Sequence, residues 1–138
     1  MSLLHLAALA GVLGASTYLI MLGGLALSGS ARVASFLMGF ASSPALHYLE
    51  LAIRMLVGGS LVTYASFTCH AWVFRGAGWI VIGTTVVLLC VPWQLHRRFA
   101  QWSVPQALQY RSLIGLCSVL GGLAALLSVA CGAIDSGT

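Results

Sequence analysis

LLHLAALAGVLGASTYLIMLGGLAL, residues Leu3–Leu27, runs without a single Lys, Arg, Asp or Glu. The hydrocarbon core of a bilayer, about 30 Å thick, is crossed by a helix of roughly 20 apolar residues. This stretch exceeds that length. Its one rival reading is a secretory signal, which needs a basic n-region and an apolar run of only about 7–15 residues. Here the first Lys or Arg is Arg32. The expectation is therefore a retained, membrane-crossing helix.

Three further segments have the same character, approximately residues 45–73, 76–95 and 110–133. Together they predict an all-α, polytopic membrane protein: one domain over residues 1–138, built as a bundle of four transmembrane helices. Composition agrees, with 60% hydrophobic and only 6% charged residues and a mean hydropathy of +1.03. Soluble domains carry about 25% charged residues, and a chain this short leaves much of its surface exposed. Lipid is the expected solvent.

The connections differ in kind. Phe74, Arg75 and Gly76 read as a tight turn between the second and third segments. HRRFAQWSVPQALQ, residues 96–109, reads as an interfacial loop on account of Pro105 and its polar side chains. Residues 28–44 are too apolar for a free linker and too short to cross alone. They read as a surface-lying or partly inserted stretch, closed by the helix-start signal Ser42-Ser43-Pro44.

The net charge of +4 comes from six arginines set against Glu50 and Asp135. The arginines are scattered between apolar segments, which excludes a nucleic-acid-binding patch. With side A as the side of the N-terminus and side B opposite, Arg32, Arg97, Arg98 and Arg111 fall at side B and only Arg75 at side A. Excess Arg in short loops marks the cytoplasmic face. The expected location is a cell membrane, of the bacterial inner-membrane kind, with both termini outside the cytoplasm. Trp72 and Trp79 at side A, with Trp93, Trp102, Tyr48 and Tyr110 at side B, fit headgroup-level belts.

Small residues suggest where helices meet. Ala7, Gly11 and Ala15 recur at four-residue spacing in the first segment, as do Ser118 with Gly122 and Gly121 with Ala125 in the last. Such faces let backbones approach closely in lipid. The partner is another helix of this chain or a second copy.

The most informative polar residues are His47, Glu50 and Arg54, whose spacing of three and then four places them on one helix face. A charge as deep as Arg54 costs about 2.5–3.5 kcal/mol on insertion scales, and Glu50 is the expected partner. His96, Arg97, Arg98 and Arg111 gather at the same side. The group reads either as an ion relay or a headgroup- or ligand-binding cluster, or as a neutralised pair that fixes packing.

Histidines pair by depth, His5 with His70 and His47 with His96. That permits a bis-histidine haem b without any motif for one. There is no C-x-x-C or other metal-ligand spacing, so no metal and no catalytic residue is expected. Cys69 and Cys131 both fall near side A, where a disulfide between them is open, although free buried thiols are the preferred reading. The chain also lacks the lone carboxylate in its first helix that marks small multidrug transporters.

The leading functional expectation is a non-enzymatic protein: an accessory or structural subunit of a larger membrane complex, or a homo-oligomeric scaffold. Its partners would be lipid and other membrane subunits or copies of itself. The alternatives are a small proton- or ion-coupled transporter or channel using Glu50, Arg54, His47 and His96, and a b-type cytochrome subunit.

Overall fold

The computed structural model describes residues 2–29, 35, 36, 39 and 42–135. Among them the chain forms five α-helices, four of them long and apolar enough to cross a membrane. Helix α1 is Leu3–Leu27, α2 is Pro44–Tyr64, α3 is Ala71–Leu89, α4 is Trp93–Gln109 and α5 is Arg111–Asp135, with a 3-10 turn, Ala65–Phe67, after α2. Most of the 28–44 connection, Arg32 included, lies outside the described residues. Of what is described, Phe36 packs its ring 6.3 Å from that of Tyr18 on α1.

Local chemistry sets the helix ends. Ser43 accepts a hydrogen bond from the Leu46 N–H and Pro44 follows at the first helical position, the arrangement both residues favour. Ser2 caps α1 in the same way, accepting from the His5 N–H. Gly29, with φ +72°, closes the other end of α1, its N–H bonded to the Ala26 carbonyl.

Three sequence boundaries are corrected. The break between the second and third apolar segments lies at Thr68–His70 rather than at Phe74–Gly76: Thr68 is extended (φ −117°, ψ 150°) and its hydroxyl donates to the Ala65 carbonyl. Hydropathy alone could not place it, because residues on both sides are apolar. Helix α3 stops at Leu89 rather than near residue 95, since Pro92 disfavours helical geometry at the residue before it.

Residues 96–109 are not a loop but most of α4. His96, Ala100, Val104 and Ala107 line its better-buried face, while Leu95, Phe99 and Trp102 are exposed. Pro105 sits inside this helix and leaves the Gln101 carbonyl without its helical donor. Gln101 is exposed, so solvent or headgroups can supply one. The last helix continues to Asp135, so Glu50 is not the only carboxylate in the apolar helices.

In space the order is α5, α1, α2, α3. Helix α1 packs on both α5 and α2, and α3 packs on α2, with no extensive contact between α3 and α5 among the described residues. Glycines set the closest approaches. A methyl group on Gly23 would lie 2.6 Å from the Gly115 carbonyl oxygen, and one on Gly122 would lie 2.7 Å from that of Ser16. On the other side, Gly58 and Gly78 face each other across the α2–α3 contact.

Of the expected packing residues, Gly11 meets Ser60, Gly122 meets Ser16 and Ile20, and Ala125 packs against the core. Ala15 and Ser118 are partly buried. Ala7 and Gly121 point outward instead. The line that packs on α1 is Ala8, Val12, Ser16 and Gly23, one residue along from the expected one. Small-residue spacing identifies a kind of face but not which of two adjacent lines is used.

The apolar core, Ala8, Val12, Tyr64, Ala65, Phe74 and Val129, lies toward side A. There a disulfide joins Cys69 to Cys131, with Cα atoms 5.9 Å apart. The preferred reading of free thiols is thus overturned for this pair: the Cys69 N–H bonds to the Ser128 carbonyl, which holds the turn against α5. A methyl group on Gly132 would collide with the Phe67 carbonyl. Cys90 and Cys117 are free thiols.

Candidate functional site

The apolar core closes side A around buried Ser and Thr side chains, whereas at side B ionisable side chains from α2 and α4 converge. The first turns of α2, following the Ser43 cap, carry His47, Glu50 and Arg54 along one face. His47 is 1% exposed. Helix α4 brings His96 against it, with ring centroids 4.7 Å apart. Glu50 joins the two ends of the group: one carboxylate oxygen lies 3.6 Å from the His96 Nε2 and the other 3.6 Å from an Arg54 Nη1.

Helix α3 completes the arrangement with residues that sequence reasoning did not single out. Arg54 donates from Nε to the Thr85 hydroxyl at 3.3 Å and from Nη2 to the Thr84 hydroxyl at 3.0 Å. Thr85 is fully buried, and its hydroxyl donates to the Val81 carbonyl at 2.6 Å. Its lone pairs therefore remain free to receive the guanidinium. The available signal was two adjacent threonines in an otherwise apolar run, one turn from the helix end.

Planar guanidinium geometry explains why Arg serves here. Its fork reaches one carboxylate and two hydroxyls at once, whereas a lysine ammonium is a single point charge. Arg54 thus couples α2 to α3 while Glu50 couples α2 to α4. Neither imidazole is as well served. The Nδ1 atoms of His47 and of His96 are buried without a hydrogen-bond partner. Such atoms normally find one, and leaving one unpaired costs about 1–3 kcal/mol.

The other arginines of the expected cluster do not enter it. Arg97 lies over the Trp93 ring, 6.0 Å from its centroid, and Arg98 is exposed beside it. The Arg111 guanidinium lies over Gly29, at the C-terminus of α1, where the helix dipole favours a cation.

The side-A histidines are not a matching pair. The His5 ring meets Phe67 at 4.8 Å, and His70 Nδ1 is 3.2 Å from the Ser128 hydroxyl. A second group of metal-ligand type, Cys69, Cys131 and Asp135, forms there, but its two sulfurs are committed to the disulfide. In the side-B group, by contrast, one ligand atom each from His47, Glu50 and His96 lie within 4.8 Å of one another.

No family model, curated protein or solved structure matches this chain.

Proposed function

We propose that this is a multi-span membrane protein that handles a cation at the centre formed by His47, Glu50 and His96, as a small ion-coupled transporter or channel. One observation carries the reading. The other buried polar side chains among the described residues are Ser and Thr, but here two imidazoles from α2 and α4 converge on a carboxylate, and both keep a buried nitrogen without a partner. A pair that served packing alone would need only Glu50 and Arg54. Ionisable groups inside the membrane are expensive and mark ion paths more often than packing devices.

The proposed topology places both termini outside the cytoplasm and this centre toward the cytoplasmic side. Arg97, Arg98 and Arg111 at side B support it by the positive-inside rule. The Cys69–Cys131 disulfide at side A supports it independently, because structural disulfides persist in oxidising compartments. Two such imidazoles also sit closer together, at 4.7 Å, than axial ligands on opposite faces of a porphyrin, so the geometry favours an ion over haem b.

The test is flux. Purified protein in proteoliposomes is expected to dissipate an imposed proton, potassium or zinc gradient faster than protein-free liposomes do. Glu50→Gln should return the rate, per unit of folded protein reconstituted, to the protein-free level. Rates no higher than those of empty liposomes under all three gradients would sink the proposal.

A second reading, an accessory subunit, is favoured by one feature. Ala7 on α1 and Gly121 on α5 face outward, and small residues on an outer face let another membrane helix approach closely. Stoichiometric co-purification of another membrane subunit in mild detergent would support that role.

A further inference from the structure

We infer that the His47–Glu50–His96 centre binds a divalent first-row transition metal ion of the zinc class, through one nitrogen from each imidazole and one Glu50 oxygen. The inference rests on the reading of this cluster as a cation centre and names the cation.

Donor chemistry is the first ground. Two imidazoles and a carboxylate suit zinc, iron, cobalt, nickel or copper, whereas magnesium and calcium require oxygen donors. Alkali cations have no use for nitrogen ligands. Geometry is the second. Zinc binds nitrogen and carboxylate oxygen at about 2.0–2.2 Å, so neighbouring tetrahedral ligands lie about 3.3 Å apart. The Glu50 Oε2 to His96 Nε2 separation is 3.6 Å, and all three donor atoms fall within 4.8 Å of one another. Small side-chain rotations close that gap.

The third ground is the accounting of polar atoms. His47 is 1% exposed and its Nδ1 has no partner, and the same atom of His96 is buried and unpartnered. A metal ion bound through the buried Nδ1 of His47 satisfies that atom, while on His96 the nitrogen that faces Glu50 is Nε2. Arg54 then has a defined role as well. It holds the Glu50 oxygen that faces away from His96 and is itself fixed by Thr84 and Thr85. Ligating carboxylates are ordinarily oriented by such outer hydrogen bonds. With three protein ligands, a fourth position stays open, as in zinc sites that exchange a ligand. The positive charge of the ion and of Arg54 favours an anion or hydroxide there.

Sequence depth places His96 at the same side as His47 and Glu50, but no ligand spacing signals a metal. His47 and Glu50 share one helix, but His96 is 46 positions further on in a segment that reads as a loop.

The experiment uses the full chain, purified in detergent after chelator treatment and titrated with cobalt(II) and zinc(II). The expected result is one equivalent of cobalt with the visible absorption of a tetrahedral nitrogen–oxygen site, displaced by zinc, and a rise in Tm on zinc addition. His96→Ala is the informative variant because α4 has few tertiary contacts, so the bundle should survive its loss. It should abolish the cobalt spectrum and the zinc-dependent rise in Tm, and His96→Cys should restore a cobalt spectrum with thiolate character.

His5→Gln with His70→Gln should change neither readout. Folded wild-type protein that retains no metal and gives no cobalt spectrum overturns the inference, as does binding that survives His96→Ala but is lost in the His5/His70 variant. The two proposals fail separately. Metal binding without flux removes the transport reading and leaves the centre, whereas proton or potassium flux without metal binding does the reverse.

Discussion

The rings of His47 on α2 and His96 on α4 meet at a tilt, their centroids 4.7 Å apart, with both Nδ1 atoms buried and unpartnered. Two imidazoles in that state weaken the metal-free protein. Replacing His47 with Leu, which leaves the His96–Glu50 contact in place, should therefore be neutral or raise apparent stability by about 1 kcal/mol, because a lone buried polar atom costs more than an apolar group of similar shape. Thermal unfolding in chelator-containing detergent checks this. A drop of several kcal/mol would show that the ring pair itself holds α4 in place.

The Glu50–Arg54 pair can be dissected by a double-mutant cycle. Glu50→Gln leaves Arg54 on its threonines, while Arg54→Gln leaves a carboxylate beside His96 alone. Each single variant should lose about 1–3 kcal/mol, and the double should lose less than their sum, with a coupling of about 0.5–3 kcal/mol. Arg54→Lys should recover only part of the loss, since an ammonium cannot span Glu50, Thr84 and Thr85 together. Strict additivity would mean that the two residues act independently.

Adjacent glycines give a sharp contrast. At Gly122 an added methyl meets the Ser16 carbonyl oxygen at 2.7 Å, whereas at Gly121 there is nothing within 4 Å. Gly122→Ala should destabilise by about 1–3 kcal/mol through overpacking. Gly121→Ala should be neutral or mildly stabilising, because Ala is the better helix former. Unfolding midpoints of the two variants, measured side by side, decide the register of the α1–α5 contact.

Reduction should loosen the side-A end. The Cys69–Cys131 bridge closes a sequence separation of 62 residues, for which chain-entropy arguments give a stabilisation of about 4 kcal/mol. Dithiothreitol is expected to lower Tm, and maleimide should label only Cys90 and Cys117 before reduction. In intact cells, a membrane-impermeant reductant should reach the bridge from outside the cytoplasm under the proposed topology.

The four apolar segments were legible because each demand is local. A crossing helix needs length and low charge, and Leu3–Leu27 shows both within one window. The Ser43–Pro44 start was equally readable, since a cap acts over three residues. The break at Thr68 was not, as apolar residues flank it and the turn is held by Ser128 and Cys131 from α5. Helix α4 was hidden by its polarity and by Pro105, which an exposed Gln101 carbonyl tolerates.

Sequence alone determined the solvent-facing character of the chain, its four long apolar helices and the shared face of His47, Glu50 and Arg54. Those properties follow from hydropathy and from the 3.6-residue turn, which act over a few neighbouring residues. Only the tertiary structure decided that Cys69 meets Cys131, that Gly122 rather than Gly121 packs on α1, and that Thr84 and Thr85 hold Arg54 at the side-B centre. Each of these joins residues tens of positions apart, and their meeting depends on how helices dock rather than on any pattern within one of them.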